Sequence, residues 1–150
     1  FLCELHLGYP IFSGESEHEQ VLSIMEVMGP PPQDFIMKGN RKGKYFDEHF
    51  KPKVVPNSRG KVRVPGSTSL DEVFKGADSK FIDLVKHCLV YDPRLRYTPD
   101  EALAHEWVLE GLPKHIQTHH LKLVENAGDR NTSKNGSHNE NPEGYYIAQP

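Results

Sequence analysis

His115 and His119 stand four residues apart with His120 beside them, a spacing that puts two imidazoles on one face of a helix and can hold a metal ion. No cysteine or carboxylate completes a ligand set nearby, so a His-rich polar helix end is the plainer reading. Cys3 and Cys88 are two lone thiols in apolar surroundings; they could pair, but buried reduced thiols in an intracellular protein fit better. Arg59-Gly60-Lys61 is followed by Val62 and not by Ser or Thr, so it is no phosphate-cradling loop. Carboxylate pairs are plentiful, yet none is flanked by the apolar pocket that would make it acid–base machinery. Asn131-Thr132-Ser133 and Asn135-Gly136-Ser137 fit the glycosylation sequon, but no secretory leader accompanies them and they read as chance matches.

The strongest chemical signal is a charge asymmetry. Residues 38–66 hold Lys38, Arg41, Lys42, Lys44, Lys51, Lys53, Arg59, Lys61 and Arg63 against only Asp47 and Glu48, in a chain whose net charge is −3. Such a stretch can dock acidic protein segments, or can simply be a solvated face; the candidate docking residues are Arg41, Lys42, Lys44, Arg59, Lys61 and Arg63. Nucleic acid is not favoured, because aromatics beyond Tyr45, Phe46 and Phe50 are missing and no nucleic-acid motif is present.

The elements that must position these groups are mainly helical. Residues 1–7 are apolar and uncapped at the front, and read as the end of a helix that Gly8-Tyr9-Pro10 breaks. The chain opens on Phe1, which suggests further sequence upstream. Ser16 with Glu19 makes a capping box, and Val21, Ile24, Met25 and Met28 follow at helical spacing, stopped by Gly29 and Pro30-Pro31-Pro32. The basic stretch has little periodicity and many breakers, which predicts a long irregular loop with short helical or extended pieces. Behind Asp78, Phe81, Leu84, Val85, Cys88 and Leu89 form an apolar stripe that ends before Asp92-Pro93. Thr98-Pro99-Asp100-Glu101 is another helix start, with Ala102, Leu103 and Trp107 extending its apolar face.

A chain of 150 residues allows one domain with a real core, although 12 Pro and 12 Gly are a heavy load of breakers. No stretch approaches the roughly 20 apolar residues of a membrane span. Between 126 and 150 the polar composition cannot offset the entropy of ordering, which predicts a disordered tail.

Three segments resemble a known family. Glu4-Leu5, Gly8-Tyr9-Pro10, Phe12, Gly14-Glu15 and Glu19-Gln20 look like the end of the long central helix of a eukaryotic protein-kinase C-lobe and the loop and helix after it. Leu89, Asp92-Pro93, Arg96, Thr98, Ala102-Leu103, His105 and Trp107 resemble the closing signature of such kinases. Asn57-Ser58-Arg59-Gly60-Lys61, Arg63 and Pro65-Gly66 are similar to the insert of DYRK-type kinases. Glu106 and Ser13 stand where the family commonly has Pro.

The resemblance implies a mainly α fold, the lower helical half of a kinase C-lobe. Residues 1–113 would be the partial kinase domain with its insert at about 38–66, 114–125 a C-terminal extension and 126–150 the disordered tail. It further implies scaffold roles for Asp92, Pro93, Arg96, Thr98, Glu101 and Trp107, with Arg96 buried and paired with the Glu of an Ala-Pro-Glu motif. That motif is absent here. So are the Gly-rich loop, the Lys–Glu pair, the His-Arg-Asp loop and the Asp-Phe-Gly metal site. The expectation is therefore a Ser/Thr, or dual-specificity, kinase whose intact form uses ATP and Mg2+, while this chain has no catalytic residue and binds neither. Its partners would be the N-terminal part of the kinase domain and protein substrates or regulators, in cytoplasm or nucleus, with no membrane. The alternative is a non-catalytic kinase-like remnant that binds proteins through the helix at 16–28 and the basic insert. In either case Phe1, Leu2 and Leu5 are expected to meet the apolar faces of Val21–Met28 and Phe81–Leu89.

Overall fold

The computed structural model describes residues 1–118, which hold eight complete helices, a further helical stretch at 114–118 and no strand. Helix α1 (Leu2–Leu7) ends at Gly8, whose left-handed conformation lets its N–H reach the Glu4 carbonyl. Helix α2 (Glu17–Met28) is followed by two short helices, α3 (Gln33–Lys38) just ahead of the insert and α4 (Lys42–Tyr45) inside it. Then come α5 (Leu70–Val73), α6 (Ser79–Cys88), α7 (Pro99–Leu103) and α8 (Glu106–Glu110). The expected mainly helical fold is what forms. The rest of the extension, the tail, His119, His120 and both sequons lie outside the described residues.

Two apolar clusters hold the helices together. Leu70, Phe74, Phe81, Ile82 and Val85 make the first, with Trp107 of α8 and Val27 and Met28 of α2 packed against it. Leu22 and Met25 of α2 join Ile36 of α3 and Phe46 of the insert in the second. Helix α2 therefore lies between the two clusters and buries side chains on more than one side. Leu22, only 1% exposed, is buried deeper than any residue of the stripe read from the sequence.

Helix α1 departs from expectation. Its packing residues are Cys3 and Leu7, with the His6 ring 5.7 Å from Phe74 and 5.2 Å from Phe81. Phe1, Leu2 and Leu5 face solvent, because α1 has its neighbours on the other side. Both cysteines are free, and partial burial pushes both thiols up.

The stretch from Thr98 to Trp107, whose pattern reads as one helix, breaks in two. Ala104 closes α7, and the His105 ring accepts from the Trp107 N–H to start α8. His105 also contacts the Asp83 carboxylate at 3.0 Å, and Lys80 reaches Glu106 at 2.8 Å, so α8 is tied to α6 at both ends of a turn. The break rotates Trp107 onto Phe81, with ring centroids 5.1 Å apart.

Thr98 forms a full capping box with Glu101, each side chain accepting from the other's backbone N–H. Thr98→Ala should accordingly lower stability by about 1 kcal/mol. Thr68, in irregular chain, bonds through its backbone to the Glu26 carbonyl, so Thr68→Ala should cost much less. Equal losses on chemical denaturation would refute the capping role.

Candidate functional site: the basic insert on an acidic helix

The chain leaves α2 at Gly29, and at the far end of the insert it comes back to the same turn, where the Gly66 N–H donates to the Met25 carbonyl at 2.8 Å. Two side chains shape the excursion between. Asp47 accepts from the N–H groups of His49 and Lys51, both at 2.8 Å, and Asn57 accepts from those of Arg59 and Lys61 at 3.0 and 2.9 Å. Each makes a tight local turn out of its own carbonyl or carboxylate oxygen, which is why these residue types sit there. Phe46 and Pro52 bridge the first turn, and Phe50 adopts φ 59 at its tip while packing on the second cluster.

The turns deliver the insert's cations to the acidic side of α2. Arg63, almost buried, meets Glu19 at 3.3 Å, Glu26, and the Ser13 carbonyl at 2.8 Å. Asn57 adds a bond to Glu19 at 2.9 Å. Arg41 and Lys44 each lie 2.6 Å from the Glu17 carboxylate, joined by the Tyr45 hydroxyl. Ser58 donates to Glu15, and Arg59 lies 3.4 Å from it.

The Glu15 N–H donates to Glu19 at 2.7 Å, and with Asn57 and Arg63 this holds the Glu19 carboxyl below its usual range. That geometry corrects the expected box at Ser16. Ser16 does accept from the Glu19 N–H, but the Glu19 carboxylate turns to Glu15 and the insert instead of returning to Ser16. Lys44, Tyr45 and Arg41 hold the Glu17 carboxyl down to about 2.

Of the six residues expected to dock acidic partners, Arg41, Lys44, Arg59 and Arg63 are thus engaged by glutamates of this chain. Lys42 donates to the Met37 carbonyl at 2.9 Å. Lys61 has no carboxylate within ion-pair distance among the described residues, and the same holds for Lys38, Lys51 and Lys53. Glu15, Glu17, Glu19 and Glu26 were missed as partners by sequence reasoning. A signal existed: Glu19 and Glu26, two helical turns apart, share a face opposite a cationic loop.

The scaffold residues lie elsewhere. Asp92 accepts from the Arg94 N–H at 2.9 Å and from its guanidinium, which holds the Asp92 carboxyl down to about 2. Pro93 is exposed in the turn that follows α6. Arg96, expected to be buried, is exposed instead. Its guanidinium bends back to the carbonyls of Val90 and Tyr91 at 2.8 and 3.1 Å, in the turn beyond the end of α6. Among the described residues no three His, Cys, Asp or Glu side chains gather as a metal site. No helix among them is long and apolar enough to cross a membrane.

Comparison with curated proteins defines the class first: the matched proteins are protein kinases. The branch follows from their names. Dual specificity tyrosine-phosphorylation-regulated kinase 4 of Homo sapiens is 49% identical over 106 residues, covering 71% of this chain and 20% of that protein. Dual specificity tyrosine-phosphorylation-regulated kinase 2 of Drosophila melanogaster is 44% identical over 107 residues, 71% of this chain and 15% of that protein. The DYRK-family kinase pom1 of Schizosaccharomyces pombe is 39% identical over 107 residues, 71% and 10% respectively. The chain belongs to the DYRK type of protein kinase. It spans a quarter or less of the length of these relatives. No protein-family profile matches it.

Proposed function

We propose that this chain is the C-terminal scaffold of a Ser/Thr, or dual-specificity, protein kinase that in its intact form transfers the ATP γ-phosphate to protein hydroxyls. The observation that carries the reading is the 49% identity to a DYRK-type kinase over 106 residues, 71% of this chain. ATP and Mg2+ do not fit the residues of this chain. Phosphate cradling needs a Gly-rich loop and a paired Lys, and the metal needs the Asp-Phe-Gly carboxylate; none of these stands in the sequence. What the chain supplies is support: α6 to α8 form a closed helical block, and the insert is clamped to α2. Residues 1–113 are then the partial kinase domain, with 114–125 as its extension, and the same proposal puts the protein in cytoplasm or nucleus.

A second role, as a protein-binding surface, is favoured by one observation. The insert's inward cations are neutralised by α2, whereas Lys51, Lys53 and Lys61 are not, so any docking belongs to the insert's outer side and not to the helix at 16–28. The test of the first reading is direct. The chain purified by itself should bind no ATP by calorimetry and transfer no label to a generic protein substrate; either signal, reproduced in a preparation free of other kinases, would sink it.

A further inference from the structure

Three donors of the insert converge on one carboxylate of α2. The Arg41 guanidinium and the Lys44 ammonium each stand 2.6 Å from Glu17, and the Tyr45 hydroxyl donates to the same group. Two cations thus share one anion, and a positive charge is left over. The nearby lysines bring no carboxylate to offset it, since Lys42 and Lys53 end on the carbonyls of Met37 and Gly43. The imbalance lies at the surface: the side chains of Arg41, Lys44 and Glu17 are 62%, 48% and 46% exposed.

Tyr45 sits at the centre of this cluster. Its ring rests against the second apolar cluster, with the His18 ring 5.7 Å away, while its hydroxyl reaches the exposed Glu17. The Lys44 ammonium lies 5.6 Å from the ring centroid, and Arg41 stands four positions back along the same short helix. Tyr91, by contrast, gives its hydroxyl to the Gly29 carbonyl. Helix α4 has only four residues, one of them Gly43, with Gly39 just ahead. So short a helix unwinds at small cost, which lets the tyrosine be presented in extended chain.

We propose that Tyr45 is a phosphorylation site and that its phosphate takes Arg41 and Lys44 from Glu17. A protein-tyrosine kinase acting in trans moves the γ-phosphoryl group of ATP onto the phenol oxygen. The new P–O bond forms there, the bond to the β-phosphate oxygen breaks, ADP leaves, and the phenol proton passes to that kinase's base. The product carries about −1.5 to −2 charge and three acceptor oxygens where a neutral hydroxyl stood. Two cations are already at hand to pair with it. Glu17 is repelled and, being half-exposed, turns to water at little cost. The front of the insert then exchanges a tie to α2 for a clasp within α4. What still holds it is Phe46 in the second cluster and the His18 contact with the Lys53 carbonyl. This device rests on neither of the roles proposed above.

Two measurements on the whole chain test it. In the first, the chain is incubated with ATP, Mg2+ and a broad-specificity protein-tyrosine kinase that labels Tyr9, which is exposed in the turn after α1 and serves as internal standard. Mass spectrometry should find label at Tyr45, arriving severalfold faster in Glu17→Gln with no change at Tyr9. Label at Tyr9 with none at Tyr45 in either chain overturns the proposal. In the second, phosphotyrosine is encoded at position 45 and the phosphate is followed by phosphorus NMR against pH. Its second proton should leave roughly half a pH unit or more below the about 6 of an unpaired phosphotyrosine, and Arg41→Ala with Lys44→Ala should restore that value. Both side chains are exposed, and unchanged circular dichroism would verify the fold. Proteinase K should also cut between 39 and 46 severalfold faster in the phosphorylated chain. An unshifted phosphate, or a shift that survives loss of both cations, overturns the exchange with Glu17. Unchanged cleavage overturns the release of the insert.

Discussion

Phe74→Ala should be the most damaging side-chain truncation in this chain, costing about 3–5 kcal/mol, the range for large aromatic deletions in cores. The ring is 1% exposed and sits where three elements converge. It meets Phe81 of α6 edge-on, with centroids 5.3 Å apart, and the His6 ring of α1 at 5.7 Å. Phe81 is held on its far side by Trp107, which keeps it from collapsing into the space. A loss of this size is a large fraction of the roughly 5–15 kcal/mol that holds a typical domain together. Phe74→Leu, which keeps most of the volume, should cost much less. Chemical denaturation followed by circular dichroism reads both, and a Phe74→Ala loss below about 1 kcal/mol would mean that the first cluster is not a packed core.

The second large effect is expected at Gly14, for the opposite reason. A Cβ placed there would stand 2.3 Å from the Gln20 backbone nitrogen and 2.6 Å from its Cα. The obstacle is the backbone of the first turn of α2, which cannot rotate away as a side chain would. Gly14→Ala should therefore cost at least the upper part of the about 1–3 kcal/mol range for overpacking. The damage should also be local in a readable way. Ser13 gives its carbonyl to Arg63, and Glu15 receives Ser58 and Arg59, so pushing residues 13–15 off α2 loosens the insert with them. Limited proteolysis should cut between 51 and 64 in Gly14→Ala faster than in the parent chain. Gly8→Ala is a useful contrast, because a Cβ there meets nothing within 4 Å and only the backbone conformation resists. Unchanged cleavage of the Gly14 variant would show that the insert does not depend on this contact.

How much of this was legible in the sequence depends on element length. Helix α6 and the start of α7 announced themselves through Asp78, the Phe81–Leu89 stripe and the Thr98–Glu101 box, and all three are where they were expected. Helices α3 and α5 are 6 and 4 residues long, too short for a period of 3.6 to show. Only the Ser69–Glu72 box marked α5, and it could have been used. In α2 the stripe was misleading, because a helix between two clusters buries Leu22 and Ser23 as well as Met25, and no single face accounts for them. The break at His105 was missed because Ala102 to Trp107 keeps helical spacing; the ring nitrogen that caps α8 leaves no trace in that pattern. The internal use of the cations was illegible for a different reason. Glu19 and Arg63 are 44 positions apart, and a local pattern says nothing about which distant charges meet. Arg96 shows the limit of a resemblance, since a role inherited from a family depends on a partner side chain that this sequence does not contain.

The neck of the insert has an evolutionary consequence. Gly29 and Gly66 both adopt positive φ and come so close that a Cβ on Gly66 would lie 3.9 Å from the Gly29 Cα. The excursion between them thus starts and finishes at one point on α2, and the helices after it are placed by the return at Gly66 and Thr68 and not by how far the chain has wandered. Doubling the length of such a loop costs only about 0.6 kcal/mol in closure entropy. Insertions and deletions in the gene that fall between these glycines can therefore be accepted without moving α5 to α8, provided the Arg63 clamp is kept. Length and charge between the two glycines can thus change while the helices that follow keep their places.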